Sequence, residues 1–273
     1  MAAIGVNSRG NALAEGFANE KNCEVTYVCD VDNRAMDKCS LTVLKNGGNT
    51  PKQEKDIRKL LEYKDIDAVF IATPEHWHAP AALMAMKAGK HVYLEKPTGH
   101  NPAENEILME AVKKYKVVAA TGMQRRSWPN VINAVQEVRS GAIGDVFFSK
   151  CWYSNNRPSI GVGKATEVPE WLDWELWQGP APRVSNYKDN YLHYNWHWFY
   201  NWGTGEAGNN GVHFIDVVRW AMGLTFPTAV NSSGGRYYYN DDWEFPDSQV
   251  INFEFGNEKL ITWEGKSAHG RGI

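Results

Sequence analysis

The chain has 273 residues, of which 43% are hydrophobic and 22% charged, and its formal net charge is −3. This length exceeds what one compact core usually holds, so two globular domains are expected. The charges are mixed and basic clusters are short, and no apolar run is long enough to span a bilayer. We therefore expect neither nucleic acid nor a membrane as a partner.

The cysteines and the chain ends bear on the compartment. The four cysteines show neither CxxC spacing nor a disulfide-dense pattern, so we expect free thiols. No signal peptide precedes the first strand-like segment, which favours a cytoplasmic protein. The chain looks trimmed at its N-terminus and stops in a strand-like region. An export signal, some sheet strands or an oligomer contact are therefore expected to lie outside it if it is a fragment.

A glycine-containing turn follows the first apolar segment, residues 2–6. A helix is predicted over 11–18, and a second strand over 25–29 ends at an acidic residue. This order of strand, glycine turn, helix, strand and acid is typical of a dinucleotide site, where the pyrophosphate lies on the helix N-terminus. The residues predicted here to bind the cofactor are Gly5, Asn7, Ser8, Arg9, Gly10 and Asp30.

Two positions modify this pattern. Asn7 replaces its middle glycine, although asparagine tolerates left-handed backbone angles better than most residues. A carboxylate at Asp30 accepts hydrogen bonds from ribose hydroxyls and repels a 2′-phosphate, which favours NAD over NADP. Arg34 lies close enough to leave NADP as the less favoured alternative.

Strands and helices continue to alternate up to about Gly122. Helices are predicted over 56–63, 79–88 and 102–114, and strands over 68–72, 91–94 and 117–121. Strands this apolar are typical of a parallel sheet buried on both faces. We therefore predict an α/β protein with a Rossmann domain, a doubly wound parallel sheet, over 1–122 and a second domain over 123–273.

Lys96 is the first candidate for catalysis. It stands between Glu95 and Pro97, just after the strand predicted over 91–94. In an open parallel sheet the carboxyl ends of the strands are where ligands bind. A lysine there can stabilise a developing alkoxide, or act as a base if burial lowers its pKa.

Several of these segments resemble the Gfo/Idh/MocA oxidoreductases. The resemblance lies in Thr73-Pro74-x-x-x-His78, Gly89-Lys90-His91-Val92 and Glu95-Lys96-Pro97, and further in residues 122–126 and 208–213. It implies a Rossmann domain, an α+β domain on an open and mostly antiparallel sheet, and NAD(P)-dependent redox chemistry on sugars or polyols. The residues that it adds to the cofactor site are Thr73, Pro74, His76, His78, Glu95, Lys96 and Gln124.

The second domain carries a candidate base. Strands are predicted over 146–152, 229–239, 248–255 and 259–264, with one helix from about Asn209 to Met222. On that helix Asn209, His213 and Asp216 share one face. The resemblance implies that His213 is catalytic, while a buried structural histidine is the alternative. Family members often have aspartate at the position of Asn209. We interpret Asn209 as a substrate contact and Asp216 as a structural partner of the helix.

Further candidates are substrate contacts. Trp77 either flanks the nicotinamide or packs, and Arg125 and Arg126 either clamp substrate or form ion pairs. All tryptophans but Trp77 follow residue 127, and His197 lies in an aromatic run that suits either a sugar cleft or a core. His193 and His197 have helical metal-ligand spacing, but no third ligand accompanies them, so no metal is predicted.

Three functions follow from these residues. The first is an NAD-dependent dehydrogenase that moves a hydride between a sugar or polyol carbon and nicotinamide. The second is a lyase or glycoside hydrolase of the same superfamily, which oxidises the sugar only transiently. The third is a binding protein without turnover. Because an open sheet face is ordinarily covered by another subunit, we expect a homo-oligomer, a dimer or tetramer.

Overall fold

The computed structural model describes residues 1–256 and 258–269, which form two compact units. The first unit contains Met1–Gly122 together with Ala165–Lys188. The second contains Met123–Lys164 and the described residues from Asp189 onwards. The segment 165–188, hereafter the crossing segment, was assigned to the second domain by the sequence analysis but packs with the first unit.

The first unit is built on a six-stranded parallel sheet in the order β3-β2-β1-β4-β5-β6. The strands are β1 (Ala2–Ile4), β2 (Tyr27–Cys29), β3 (Lys52–Glu54), β4 (Ala68–Ile71), β5 (His91–Leu94) and β6 (Ala119–Thr121). The predicted doubly wound parallel sheet is confirmed. Strand β3 was not predicted, because three polar residues at a sheet edge give no apolar signal.

Helices cover both faces of this sheet. They are α1 (Arg9–Ala18), α2 (Asn33–Gly47), α3 (Ile57–Leu60), α4 (His78–Lys87) and α5 (Pro102–Tyr115). Alternate residues of β4 enter two separate cores, Val69 and Ile71 on one side and Phe70 on the other. This explains why the strands are apolar throughout. The predicted helix over 56–63 is shorter in the structure, since α3 spans only four residues.

The second unit contains a four-stranded sheet in the order β7-β10-β9-β8. Its strands are β7 (Phe148–Ser154), β8 (Ala229–Gly235), β9 (Ser248–Phe255) and β10 (Lys259–Lys266). Only the β7–β10 pair is parallel, so the predicted open, mostly antiparallel sheet is confirmed. The strand predicted over 229–239 ends earlier, at two consecutive glycines.

The helices of this unit are α6 (Pro129–Arg139), which the sequence analysis did not predict, and α8 (Val212–Ala221). The core beneath α8 contains Ile251, Ile261 and Trp263, and the last two are fully buried. The remaining helix, α7 (Trp174–Gln178), lies in the crossing segment of the first unit.

No helix within residues 1–256 and 258–269 is long and apolar enough to cross a membrane. All four cysteines are free thiols, as predicted, and three of them are buried. Burial raises the pKa of Cys39 to about 12 and that of Cys151 to about 11, so both are neutral at ordinary pH.

Candidate functional site

The turn after β1 has no room for side chains at two positions. Gly5 has a φ of +76°, and a Cβ atom there would lie 2.5 Å from the amide nitrogen of Thr73. A Cβ at Gly10 would lie 1.8 Å from the carbonyl oxygen of Gly5. The end of β1, the start of α1 and the end of β4 therefore contact one another through backbone atoms, without intervening side chains. Such close packing is what a dinucleotide-binding turn requires.

The residues between these glycines leave the start of α1 open. Helix α1 begins at Arg9, and Ser8 before it makes no capping hydrogen bond with its side chain. Asn7, in place of the middle glycine, is half-buried. The uncapped amides of the first helical turn are the groups that bind a pyrophosphate.

Asp30 joins the end of β2 to this turn. Its carboxylate accepts hydrogen bonds from the backbone N–H of Val6 at 2.7 Å and of Asp32 at 3.0 Å. A carboxylate has about four acceptor positions, and a ribose hydroxyl is one of the donors it can accept from. The hydroxyl of Thr73, after β4, is buried and has no hydrogen-bond partner within residues 1–256 and 258–269. These features fit a dinucleotide, with the pyrophosphate at the turn and the adenosine ribose at Asp30.

His78 connects the loops that follow β4 and β5. Its Nε2 lies 2.9 Å from the carbonyl oxygen of Thr73, and its Nδ1 lies 2.5 Å from that of Pro97. The ring is 2% exposed, and burial lowers its pKa, which keeps the imidazole neutral near pH 7. Its contacts give His78 a positioning role, since it fixes the loop that contains Lys96.

Glu95 fixes the same loop from the other side. Its carboxylate accepts a hydrogen bond from Arg9 Nε at 2.8 Å, and the backbone N–H of Lys96 donates to it at 3.3 Å. A Cβ at Gly122 would lie 2.8 Å from the Glu95 carboxyl carbon, so Glu95 fills the space that this glycine leaves. Lys96 itself is half-buried. Arg9, Glu95 and Lys96, all predicted from sequence, are thus brought together.

The turn after Pro74 contacts the crossing segment. His76 Nε2 lies 2.9 Å from the carbonyl oxygen of Trp177, and Trp77 Nε1 donates to the carbonyl oxygens of Leu176 and Trp177, each at 3.1 Å. A Cβ at Gly179 would overlap the Trp77 ring. Of the two roles considered for Trp77, the structure therefore favours packing, and it gives His76 a structural hydrogen bond.

In the second unit, Asn209 lies in a π-helical turn, Ala207–Gly211, which precedes α8. The single helix predicted from Asn209 to Met222 is therefore wrong in its first turn. Asn209 and His213 are 7% and 8% exposed, and Asn209 Nδ2 donates to the Tyr194 hydroxyl at 3.1 Å. π-helical turns occur frequently at functional sites.

Two arginines before α6 have different surroundings. Arg126 donates to both carboxylate oxygens of Asp216, each at 2.8 Å, so the structural role considered for both residues is present. The Arg125 guanidinium lies 3.9 Å from the centroid of the Phe214 ring, and burial lowers its pKa. Gln124 begins the short helical turn that contains both.

A buried ion pair near Asn209 was not predicted from the sequence. Arg157 Nε donates to Glu206 at 3.0 Å, and the two side chains are 14% and 2% exposed. Asn210 Nδ2 donates to the same carboxylate, and Arg157 also donates to the Tyr153 hydroxyl at 3.2 Å. Because the partners are 49 residues apart in sequence, no local pattern identifies the pair.

His197 belongs to an aromatic cluster. Its Nδ1 lies 2.6 Å from the Tyr194 carbonyl oxygen, and its ring stacks on Trp196 with centroids 3.6 Å apart. Nearby, Trp198 stacks on Trp243 at 3.8 Å. Within residues 1–256 and 258–269, no group of three or more histidine, cysteine, aspartate or glutamate side chains is arranged to hold a metal ion.

The fold of the first unit is that of the Rossmann class of dinucleotide-binding proteins. Residues 1–123 match the model of an oxidoreductase family with an NAD-binding Rossmann fold, and residues 111–236 match that of its C-terminal alpha/beta domain. The chain belongs to this family, the Gfo/Idh/MocA oxidoreductases.

The chain is similar to proteins of two activities. A glycosyl hydrolase family 109 protein of Saccharopolyspora erythraea is 29% identical over 172 residues, which are 62% of this chain and 38% of that protein. A levoglucosan dehydrogenase of Pseudarthrobacter phenanthrenivorans is 27% identical over 168 residues, 62% of this chain and 36% of that protein. The chain thus matches less than half the length of these relatives.

A solved structure extends the comparison to the fold. The complex of a levoglucosan dehydrogenase with NADH and levoglucosan superimposes with a TM-score of 0.70 at 22% identity. It covers 99% of this chain, which corresponds to 67% of that protein. At this identity the likeness shows that the two proteins share a fold.

Proposed function

We propose that the protein is an NAD-dependent oxidoreductase that acts on a hydroxyl-bearing carbon of a sugar or polyol. The observation that carries this proposal is the turn at Gly5 and Gly10, where backbone alone separates β1, α1 and β4. In a family whose first domain binds NAD, this turn supplies the cofactor site. The levoglucosan dehydrogenase relatives support a carbohydrate as the substrate.

The cofactor would be held at three places in the first unit. The backbone of the glycine turn and the first amides of α1 would bind the pyrophosphate. Asp30 would accept a hydrogen bond from a ribose hydroxyl, and the Thr73 hydroxyl would gain a hydrogen-bond partner on the cofactor. The negative charge of Asp30 opposes a 2′-phosphate, which favours NAD. When bound, the nicotinamide supplies the acceptor for a hydride from the substrate carbon.

His213 is the proposed base. As hydride leaves the carbon, its hydroxyl must lose a proton, and an imidazole ring nitrogen of His213 accepts it. Burial of His213 beside the π-helical turn keeps its position fixed. Asn209 is proposed to contact a substrate hydroxyl, with Arg125 and His197 as further substrate contacts.

Lys96 is the proposed cation. Its ammonium group stabilises the negative charge that develops on the substrate oxygen. Support comes from the loop around it, which is fixed by Glu95 on one side and by His78 at Pro97 on the other. In the alternative assignment, Lys96 exchanges roles with His213 and takes the proton.

A second candidate function rests on the glycosyl hydrolase family 109 relative. In this second function, the first unit would hold NAD tightly, the sugar would be oxidised only transiently, and the leaving group would be released without net formation of NADH. The same side chains serve both reactions, so only the products distinguish them.

The oligomeric state is proposed separately. The face of the second sheet that carries Phe148, Trp152 and Val250 exposes 48%, 44% and 37% of these side chains. We propose that another copy of the chain covers it, as a dimer or tetramer.

The test of the proposed function measures reduced nicotinamide by absorbance, with NAD and a panel of sugars, polyols and aryl glycosides. The chain is compared with Lys96→Met, His213→Asn and, as a control, Lys87→Met, an exposed lysine at the end of α4. Growth of absorbance that is lost in the first two variants supports the dehydrogenase. Release of the aryl alcohol without net NADH supports the hydrolase. Failure of the chain to bind NAD contradicts both.

A further inference from the structure

The crossing segment carries an aromatic ring to the place where the adenosine half of a dinucleotide is expected. Leu172 forms an antiparallel bridge with Asp32. The backbone N–H of Asn33 donates to the carbonyl oxygen of Trp171 at 3.1 Å, and that of Asp173 donates to Val31 at 3.0 Å. Main-chain bonds therefore fix Trp171 beside the start of α2, through residues one to three positions after Asp30.

Arg34 lies flat on this ring. Its guanidinium carbon is 3.4 Å from the centroid of the Trp171 ring. Its Nε donates to Asp32 Oδ1 at 3.1 Å and its Nη2 to Oδ2 at 3.0 Å. The paired bonds fix the plane of the guanidinium, because Asp32 is itself 3% exposed and caps α2.

More than half of the Arg34 side chain, 56%, is exposed, so the guanidinium is accessible to a ligand. A planar guanidinium is a stacking surface for a nucleobase, and base stacking on such planes needs no particular hydrogen-bond pattern. Arg34 thus presents a fixed cationic plane in the first turn of α2, four residues after Asp30, which is proposed to accept a hydrogen bond from the ribose.

We propose that Trp171 and Arg34 form the adenine subsite, in which the base stacks on the face of Arg34 opposite Trp171. The proposal rests on the proposed function, because it takes a dinucleotide as the ligand. It also bears on the choice of cofactor. Two nitrogens of Arg34 are engaged by Asp32, so the guanidinium does not turn towards a 2′-phosphate, and NAD is preferred over NADP.

The chain contains a matched control for Arg34. Asp56 and Arg58 repeat the same contacts at the start of α3, where Arg58 donates from its backbone N–H at 2.9 Å and from Nη2 at 2.6 Å. Arg58 is also exposed, at 66% of its side chain. Removing either arginine deletes a capping ion pair, but only Arg34 lies at the proposed subsite.

The test measures dissociation constants by calorimetry for NAD, NADP, ADP-ribose and nicotinamide mononucleotide. We expect Arg34→Ala to weaken binding of NAD and ADP-ribose about tenfold or more, and Arg34→Lys, which keeps the charge but not the plane, to weaken it similarly. We expect Trp171→Leu to weaken binding of NAD and ADP-ribose by a smaller factor than Arg34→Ala does, and Trp171→Phe to bind both ligands as the unmodified chain does. In all four variants the dissociation constant for nicotinamide mononucleotide stays within about twofold of that of the unmodified chain. Asp32→Asn, which releases Arg34, raises the affinity for NADP relative to NAD.

Three results separate failure of the subsite from failure of the proposed function. Equal ADP-ribose affinity in Arg34→Ala and Arg58→Ala overturns the subsite and leaves NAD binding intact. An equal loss for nicotinamide mononucleotide and ADP-ribose also overturns it, because the arginine then acts through the fold. If the unmodified chain binds neither NAD nor ADP-ribose, the proposed function itself fails.

Discussion

The two units hold their candidate site residues by different kinds of contact. In the first unit most of these contacts reach the main chain, as when Asp30 accepts from Val6 and His78 lies between the carbonyls of Thr73 and Pro97. In the second unit several are side-chain pairs, such as Arg126 with Asp216 and Arg157 with Glu206, although His197 contacts the carbonyl oxygen of Tyr194. Sites built on main chain depend on backbone shape, whereas sites built on ion pairs depend on both partners.

The largest effect is expected from the buried ion pair of the second unit. Arg157→Met leaves the Glu206 carboxylate buried without its cation, which we expect to cost about 3–4 kcal/mol of the free energy of unfolding. The control is Lys150→Met, which breaks the more exposed Lys150–Glu264 pair at the surface of β7 and should cost less than about 1 kcal/mol. Urea unfolding measures both.

A double variant sharpens the same comparison. Arg157→Met with Glu206→Leu removes both charges, and we expect it to recover much of the lost stability, since an apolar pair of similar volume often replaces a buried ion pair without cost. If Arg157→Met alone is no less stable than Lys150→Met, the pair does not hold this part of the second unit.

The next effect concerns the backbone of the first unit. Gly10→Ala places a methyl group 1.8 Å from the Gly5 carbonyl oxygen, so the turn must shift. We expect the free energy of unfolding to fall by about 3 kcal/mol and NAD binding to be lost. Gly16→Ala in the same helix meets nothing within 4 Å and should gain about 0.5–1 kcal/mol. Thermal melts and NAD titration measure both, and normal NAD binding by Gly10→Ala would contradict the proposed site.

The same contrast explains what the sequence could predict. The glycine turn, Asp30 and Lys96 were predictable because each lies in a short sequence pattern directly after a strand, although the contacts that fix them, such as Arg9 with Glu95, are long-range. The parallel sheet was predictable from apolar strands, except for β3, whose polar residues become a strand only by pairing with β2. The second unit was predictable as a sheet, but α6 and the π-helical turn were not.

Long-range contacts were beyond sequence reasoning. Trp77 contacts Leu176 and Trp177, which lie about a hundred residues later in the sequence. The sequence alone did not show whether the aromatic residues of the crossing segment line a sugar cleft or form a core. Arg34 was noted only for its bearing on the choice of NADP. Its stacking on Trp171 has no local signal, because the two residues lie in different sequence regions.

The smallest effect is a pH dependence that reports on the first unit. The pKa of His78 is lowered, first because burial penalises the charged imidazole, although the two carbonyls favour it. Above about pH 6.5, the ordinary value in the unfolded chain, neutral His78 contributes its full stability. As the pH falls towards the lowered folded pKa, the unfolded chain binds the proton first, and stability falls by about 1 kcal/mol per pH unit. Urea unfolding at pH 7.5 and 5.5 should show this slope in the unmodified chain and a reduced one in His78→Gln. An unchanged slope in the variant would mean that the contact between the two loops does not depend on the charge of this ring.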